Sequence, residues 1–214
     1  MTAAVLTYIV TGRSAFDPGA QGARAAAAQA SIRKKNGHRA RFADIDLCSH
    51  WSKEMNGMGK ITPFLWFDDK AEEAANFYTS IFNNSRIVGI SRYGEAGPGP
   101  KGAVMSVTFE LEGQKFMALN GGPTFTFTPA ISFFVSCENQ QEVDELREKL
   151  SAGGKKDRCG WLRDKYGVSW QIIPTALMEL MGDPDPKKSS RVMKAMLEMD
   201  KIDIQRLQQA YQQP

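Results

Sequence analysis

Histidine and cysteine are scarce in this sequence. The chain of 214 residues holds two histidines, His38 and His50, and three cysteines, Cys48, Cys137 and Cys159. Both histidines lie in the first 58 residues, so the remainder has neither the commonest metal ligand nor the commonest general base. The cysteines form no CxxC pair, which excludes a zinc knuckle or a dithiol redox motif and favours a reducing, cytoplasmic location.

Long apolar runs are also missing. No stretch approaches the roughly 18 residues that a transmembrane helix needs. The 27 Lys and Arg against 24 Asp and Glu give a net charge of +3, which is too small to indicate a nucleic-acid-binding protein. Residues 1–58 hold eight basic and four acidic side chains, so the rest is close to neutral at −1. We expect neither a nucleic-acid partner nor a membrane partner.

The first 59 residues differ from the rest of the chain. They are rich in Ala and Arg and show poor apolar periodicity. We interpret residues 1–59 as an N-terminal extension that is flexible and poorly ordered, or that is read from an early start codon. Asp17 and the Pro18-Gly19 turn argue against an organelle transit peptide.

A strand-helix-strand pattern begins at Lys60. Asp69 is expected to cap the helix, with Glu72 at the capping-box position. A tight turn is expected at Glu112-Gly113. The predicted strands of this first half are Ile61–Phe67, Ser85–Tyr93, Ala103–Leu111 and Gln114–Asn120.

The pattern then recurs. Asn139 is expected to cap a second helix, with Glu142 three residues later. The predicted strands of this half are Ile131–Val135, Cys159–Leu162 and Val168–Pro174. A constant offset of 69 places Pro63 on Ser132, which predicts two tandem units. Residues 175–214 follow as a helical tail with several methionines.

Five motifs together resemble the PhnB-like family of the vicinal oxygen chelate superfamily, the glyoxalase/bleomycin resistance/dioxygenase group. Members of this family are commonly labelled 3-demethylubiquinone-9 3-methyltransferase. The motifs are Ile61–Asp68, Ala118–Pro123, Cys159–Leu162, Asp164–Gln171 and Lys201–Ile204.

The resemblance implies an α+β fold. Two βαβββ modules over residues 60–174 would form a cupped, eight-stranded mixed sheet around a ligand pocket. The helical tail, residues 175–214, would pack on this domain or on a dimer partner, because such pockets are often completed in a homodimer.

The resemblance also implies where a metal would bind. In metal-dependent superfamily members the first and fourth strands of each module supply His or Glu ligands. The corresponding positions here are near Pro63, Met117, Ser132 and Gln171, and none is a strong ligand for a divalent transition metal. We therefore predict no metal and no other cofactor.

The methyltransferase label requires a separate test. The glycine cluster of the chain is Gly94–Pro100, in which Pro98 and Pro100 lack the N–H groups that an anion-binding loop needs. A strand rather than a helix is predicted after it. We interpret the cluster as a loop over the mouth of the pocket, and we doubt the label.

Aromatic residues are dense around the predicted pocket. Each of them alone is explained by ordinary core packing, but as a set they favour an apolar or flat ligand. Polar contacts would come from Asn120, Ser132 and Gln171. The full list of candidate pocket residues is Phe64, Trp66, Asn120, Ser132, Phe133, Trp161, Trp170 and Gln171.

Two other features have plain structural explanations. The basic residues between Lys155 and Lys165 are interrupted by acids, which is typical of a solvated loop, with recognition of an anion as the alternative. Cys159 has no histidine nearby in sequence to activate it, so we expect an inert buried thiol.

The sequence therefore predicts a small-molecule-binding protein that forms a homodimer and works without the usual metal. Two alternatives stay open. One is a transferase or lyase acting on a quinone-like or other aromatic substrate, with no catalytic residue identified. The other is a non-catalytic protein whose methionine-rich tail binds another chain.

Overall fold

The computed structural model of the protein describes residues 60–95 and 97–213. The predicted N-terminal extension, residues 1–59, lies outside the described residues. The two halves of the described chain each form a βαβββ module, and three helices follow them. The first module comprises β1 (Phe64–Phe67), α1 (Ala71–Ile81), β2 (Ser85–Arg92), β3 (Val104–Leu111) and β4 (Gln114–Asn120). The second comprises β5 (Ser132–Cys137), α2 (Gln140–Ser151), β6 (Lys155–Lys156), β7 (Trp161–Arg163) and β8 (Ser169–Pro174).

The strands of each module pair in the same order. The first sheet is ordered β1-β4-β3-β2 and the second β5-β8-β7-β6. In both sheets the first and fourth strands of the module are parallel, and the other pairs are antiparallel. The predicted α+β class and the tandem repeat are confirmed. The eight strands form two hydrogen-bonded sheets of four.

Turn and capping residues explain where several elements begin and end. Glu112 and Gly113 adopt φ angles of +46° and +82°, as a tight hairpin turn requires, and they join β3 to β4 as predicted. The Asn139 side chain accepts a hydrogen bond from the Glu142 N–H at 2.9 Å. The predicted cap of α2 is therefore confirmed.

The predicted cap of α1 is wrong. The helix begins at Ala71 rather than directly after Asp69. The Ala71 N–H donates to Oδ1 of Asn120 at 2.8 Å. Asn120 ends β4 and pairs with Phe67 in the sheet, so a residue distant in sequence caps this helix.

One hydrophobic core joins the two modules. It includes Leu65 and Phe67 of β1, helix residues such as Tyr78 and Leu150, and Trp170 of β8. Because side chains alternate along a strand, each sheet turns one face toward this core and its other face away from it. A ligand site lined by strands must therefore be sought on the faces turned away.

The C-terminal helices are α3 (Thr175–Met181), α4 (Pro186–Leu197) and α5 (Ile204–Gln212). They are attached to the second module by backbone hydrogen bonds from Cys159 N–H to Met199 O, 2.8 Å, and from Gly160 N–H to Asp200 O, 2.9 Å. The Gln140 side chain also bonds the carbonyl of Ile202 and the N–H of Ile204. In the described part of the chain, no helix is long and apolar enough to cross a membrane.

Candidate functional site

A hydrogen-bonded polar pair lies on the face of the second sheet that is turned away from the core. Nε2 of Gln171 lies 2.8 Å from Oγ of Ser132, and both residues are half-buried. Ser132 lies on β5 and Gln171 on the adjacent strand β8, and their register positions are two residues apart, so both side chains project from the same face. The sequence predicts both residues as polar ligand contacts, and the structure brings them together.

Aromatic residues stand on either side of Gln171. In the strand register it pairs with Phe134 of β5 and with Trp161 of β7. The Phe134 side chain is 51% exposed, whereas Trp161 is buried. Residues paired in this way project from the same face of a sheet, so Gln171 lies between the exposed Phe134 and the buried Trp161.

The site predicted from sequence contains Phe133 and lacks its neighbour Phe134. Phe133 contacts Phe116 and Trp170, with ring centroids 5.1 and 5.2 Å away, and so belongs to the core-facing side of β5. Two adjacent phenylalanines give no sequence signal that distinguishes the two faces. A displacement of one residue exchanges one face for the other.

Arg147 of α2 supports the strand that carries Trp161. Its buried guanidinium donates to the carbonyl oxygens of Trp161, at 3.0 Å, and Asp157, at 2.8 Å. Burial lowers the pKa of Arg147, and the nearby carboxylates of Asp200 and Asp157 oppose that shift. Arg147 therefore holds β7, and with it Trp161, in place beside Gln171.

The matching face of the first sheet carries Phe64 and Trp66. Phe64 is 48% exposed. The Trp66 indole donates to the carbonyl of Gly122 at 2.9 Å and meets the Phe125 ring edge-to-face at 5.1 Å. A Cβ on Gly121 would lie 2.2 Å from this indole, which explains the glycine of the Asn-Gly-Gly-Pro motif.

Asn120 is already engaged by the fold. Besides capping α1 through Oδ1, its Nδ2 donates to the carbonyl of Val104 at 3.1 Å. Both ends of the amide are therefore used within the first module. We leave Asn120 out of the site that we propose below.

Trp170 lies in the core, where it takes part in a buried hydrogen-bond cluster around Asp164. The Asp164 carboxylate accepts from the Tyr78 hydroxyl at 2.8 Å, from the Trp170 indole at 2.9 Å and from the backbone N–H groups of Tyr166 and Val168. Burial raises the pKa of Asp164, although the bonds from Trp170 and Tyr78 lower it. Because Tyr78 lies on α1, this cluster joins the two modules.

The four positions that correspond to metal ligands hold no strong ligand set. Pro63 accepts the N–H of Met117 through its carbonyl at 2.9 Å, and the Met117 side chain is buried. Ser132 and Gln171 bond to each other. Among residues 60–95 and 97–213, no group of three or more His, Cys, Asp or Glu side chains is arranged to hold a metal ion.

Two open grooves lie elsewhere on the surface. One, of about 540 Å³, runs past Trp66, Phe125 and Tyr166 and is bordered by charged residues, including Arg163. The other, of about 610 Å³, lies between α2 and the tail and is lined by side chains of both charges. Cys159 is buried, and burial raises the pKa of its thiol, which gives it no nucleophilic character at neutral pH.

The fold has counterparts among solved structures. A protein from Bacillus cereus, described as a 3-demethylubiquinone-9 3-methyltransferase, PhnB protein, is 49% identical over 55% of this chain and all of its own, with a TM-score of 0.51. The fosfomycin resistance protein FosX of Listeria monocytogenes is 18% identical over 56% of this chain and 96% of its own, with a TM-score of 0.40. A glyoxalase/bleomycin resistance protein from Albidiferax ferrireducens is 17% identical over 52% and 96%, with a TM-score of 0.34.

The sequence profile of the family described as 3-demethylubiquinone-9 3-methyltransferase matches residues 59–173. Because the match spans more than half of the chain, the protein belongs to this family, and the Bacillus cereus relative is described as a PhnB protein of the same family. The predicted resemblance to the PhnB-like family is confirmed. No curated protein matches the chain.

Proposed function

We propose that this protein binds an apolar or flat small molecule on the outward face of its second sheet, without a divalent metal ion. The observation that carries the proposal is the Ser132–Gln171 hydrogen bond, because it joins a hydroxyl to an amide that lies in the strand register between Phe134 and Trp161. Binding sites commonly combine apolar walls with a few polar groups in this way. Phe64 and Trp66 form the corresponding wall of the first sheet.

The donor chemistry supports binding without a metal. At the positions that correspond to metal ligands, the first module has Pro63 and the buried Met117. The second module has the hydroxyl of Ser132 and the neutral amide of Gln171. Divalent transition metals are held in proteins by imidazole, carboxylate or thiolate groups. We derive no reaction step through a metal.

The proposed assembly is a homodimer. Phe64 and Phe134 are each about half exposed on faces turned away from the core, and among the described strands β1 and β5 are edges of their sheets. Ile61 and Ile131, which precede these strands, are 87% and 77% exposed. A second copy that set its first module against the second module would cover these residues and close a cup over Gln171.

We place the protein in the cytoplasm, because its described cysteines, Cys137 and Cys159, are both unpaired.

A transferase or lyase acting on a quinone-like substrate is the alternative, and it is favoured by the family description. The loop after β2 argues against methyl transfer. Tyr93 and Ala103 close this loop as a hairpin, and a strand follows it, so no helix N-terminus is presented to a cofactor. The proposal that the tail binds another chain has less support, because Met196 and Met199 are buried.

Native mass spectrometry of protein from its own cell, combined with elemental analysis, tests the proposal. We expect a dimer that retains a small organic molecule and no stoichiometric zinc, nickel, iron or manganese. A tightly bound metal at one equivalent would overturn the metal-free part. A protein that carries nothing, and that gains no stability from any aromatic compound offered to it, would overturn the binding function.

The dimer is tested by Phe134→Ser, with Met178→Ser as the matched control, because Met178 is similarly exposed but lies on the tail. We expect the first change to yield monomers in sedimentation and the second to leave the dimer intact. Equal masses for both variants would contradict the proposed interface.

A further inference from the structure

The Ser132–Gln171 pair has polar hydrogens that its mutual hydrogen bond does not use. The amide and the hydroxyl carry three hydrogens between them, and their mutual hydrogen bond uses one. This count holds for either orientation of the amide, since either Nε2 donates to the hydroxyl or the hydroxyl donates to Oε1. Two donors therefore remain, which suits a ligand atom that accepts hydrogen bonds.

The face around the pair is mostly uncharged, with one arginine at its border. The register row through Gln171 contains Trp161 and Phe134, and the flanking positions of β5 and β8 hold Ser132 with Ser169 and Ser136 with Ile173. The charged neighbour in this register is Arg163, which pairs with Ser169 on β7 and is exposed. Its backbone lies roughly 10 Å from that of Ser132, two strands away, and roughly 7–8 Å from that of Gln171, to which it is a diagonal neighbour on the adjacent strand.

The Ser132 and Gln171 side chains are hydrogen-bonded to each other and not to a cation, which limits what can bind. A carboxylate brought over the pair would lose its hydration and would gain a cation only if the exposed Arg163 side chain turned toward it, which is costly. A carbonyl oxygen accepts the same two hydrogen bonds at a much lower desolvation cost.

We infer that the ligand is an uncharged molecule whose flat apolar ring bears a carbonyl oxygen, and that Ser132 and Gln171 donate to this oxygen. The inference rests on the proposed function and adds the chemical class of the ligand. The Phe134 and Trp161 rings contact the flat part, and the exposed edge of Phe134 leaves the ligand open to a second copy of the chain.

Three matched probes test this inference by calorimetric titration of the full chain: methyl naphthyl ketone, naphthoate and ethylnaphthalene. They share a ring and differ in carrying a neutral carbonyl, a charged carboxylate or neither. We expect the ketone to bind about tenfold more tightly than the other two, as one or two retained hydrogen bonds would produce.

The variants Gln171→Leu and Ser132→Ala should weaken ketone binding several-fold and leave ethylnaphthalene unchanged. Ser136→Ala, on the same strand face but outside the pair, is the control and should change neither. Retained folding of each variant is checked by its thermal unfolding midpoint.

Two outcomes would overturn the inference. If naphthoate binds as tightly as the ketone and loses its affinity in Arg163→Gln, the site takes anions, and the proposed binding function stands while the inference fails. If none of the three probes binds, both the inference and the aromatic-ligand function fail.

Discussion

Trp170 and Gln171 are neighbours on β8, but the hydrogen bonds of their side chains differ in kind. The Trp170 indole belongs to the Asp164 cluster, in which one buried carboxylate accepts four hydrogen bonds. Gln171 makes a single hydrogen bond, to Ser132. Buried polar groups that are fully satisfied stabilise a fold, whereas partly satisfied groups at a surface are available to a ligand. One strand thus joins the modules with one face and offers a binding surface with the other.

The largest expected effect is that of Asp164→Ala. It leaves the Tyr78 hydroxyl, the Trp170 indole and two backbone N–H groups without their acceptor. We expect the free energy of unfolding to fall by about 3 kcal/mol or more, measured by urea denaturation. A loss below about 1 kcal/mol would show that water replaces the carboxylate and that the cluster is not a stabilising joint.

Smaller losses are expected for Tyr78→Phe and Trp170→Phe. Each removes one buried hydrogen bond to Asp164 and should cost about 1–2 kcal/mol. Because the two donors share one carboxylate, the double variant should show a coupling energy of at least ~0.5 kcal/mol. Strictly additive losses would mean that the two hydrogen bonds act independently.

We expect the ionisation of Asp164 to contribute to the pH dependence of the free energy of unfolding. Burial raises the pKa of this carboxyl above its ordinary value of 3.8, so the folded state holds the proton more tightly than the unfolded state does. Its contribution to stability therefore increases as the pH falls through the raised pKa toward 3.8, by about 1.4 kcal/mol for each unit between the two values.

Asp164→Asn, which does not titrate, is the reference for that measurement. The stability difference between the natural chain and this variant should move in favour of the natural chain at lower pH. A difference that moves the other way would show that the hydrogen bonds to the carboxylate outweigh its burial.

The smallest effect on stability is expected for Gln171→Leu. The side chain is half-buried and makes one hydrogen bond, so the free energy of unfolding should change by less than about 0.5 kcal/mol. A loss comparable to that of Trp170→Phe would place Gln171 in the structural joint and remove the contrast between the two faces of β8.

Local patterns predicted most of this fold. The offset of 69 residues, the Asn139 cap and the Glu112-Gly113 turn all correspond to elements of the structure. The strand β6 escaped prediction because it consists of two exposed lysines, whose residue type carries no strand signal. The cap of α1 escaped because Asn120 is distant in sequence.

The site was harder to predict than the fold. The repeat and the family resemblance predict Ser132 and Gln171 as site residues, but Phe134 and Phe133 can be separated only by the register of β5 against β8. The sequence predicts Trp170 and Asn120 as ligand contacts because it does not reveal their hydrogen bonds within the fold. The Trp170 indole donates to Asp164, and the Asn120 side chain accepts from the Ala71 N–H. Tertiary pairing decides which polar atoms remain free.

The edge strands β2 and β6 affect how readily the protein can aggregate through its sheets. Unpaired strand edges invite other chains to add to a sheet, and short, charged or irregular strands discourage this. β6 offers two lysines over two residues, and β2 is interrupted by an irregularity between Ile87 and Gly89. Both of these edges are thus poor templates for a growing fibril, so within residues 60–95 and 97–213 the β1 and β5 edges are the ones at which concentrated protein would self-associate.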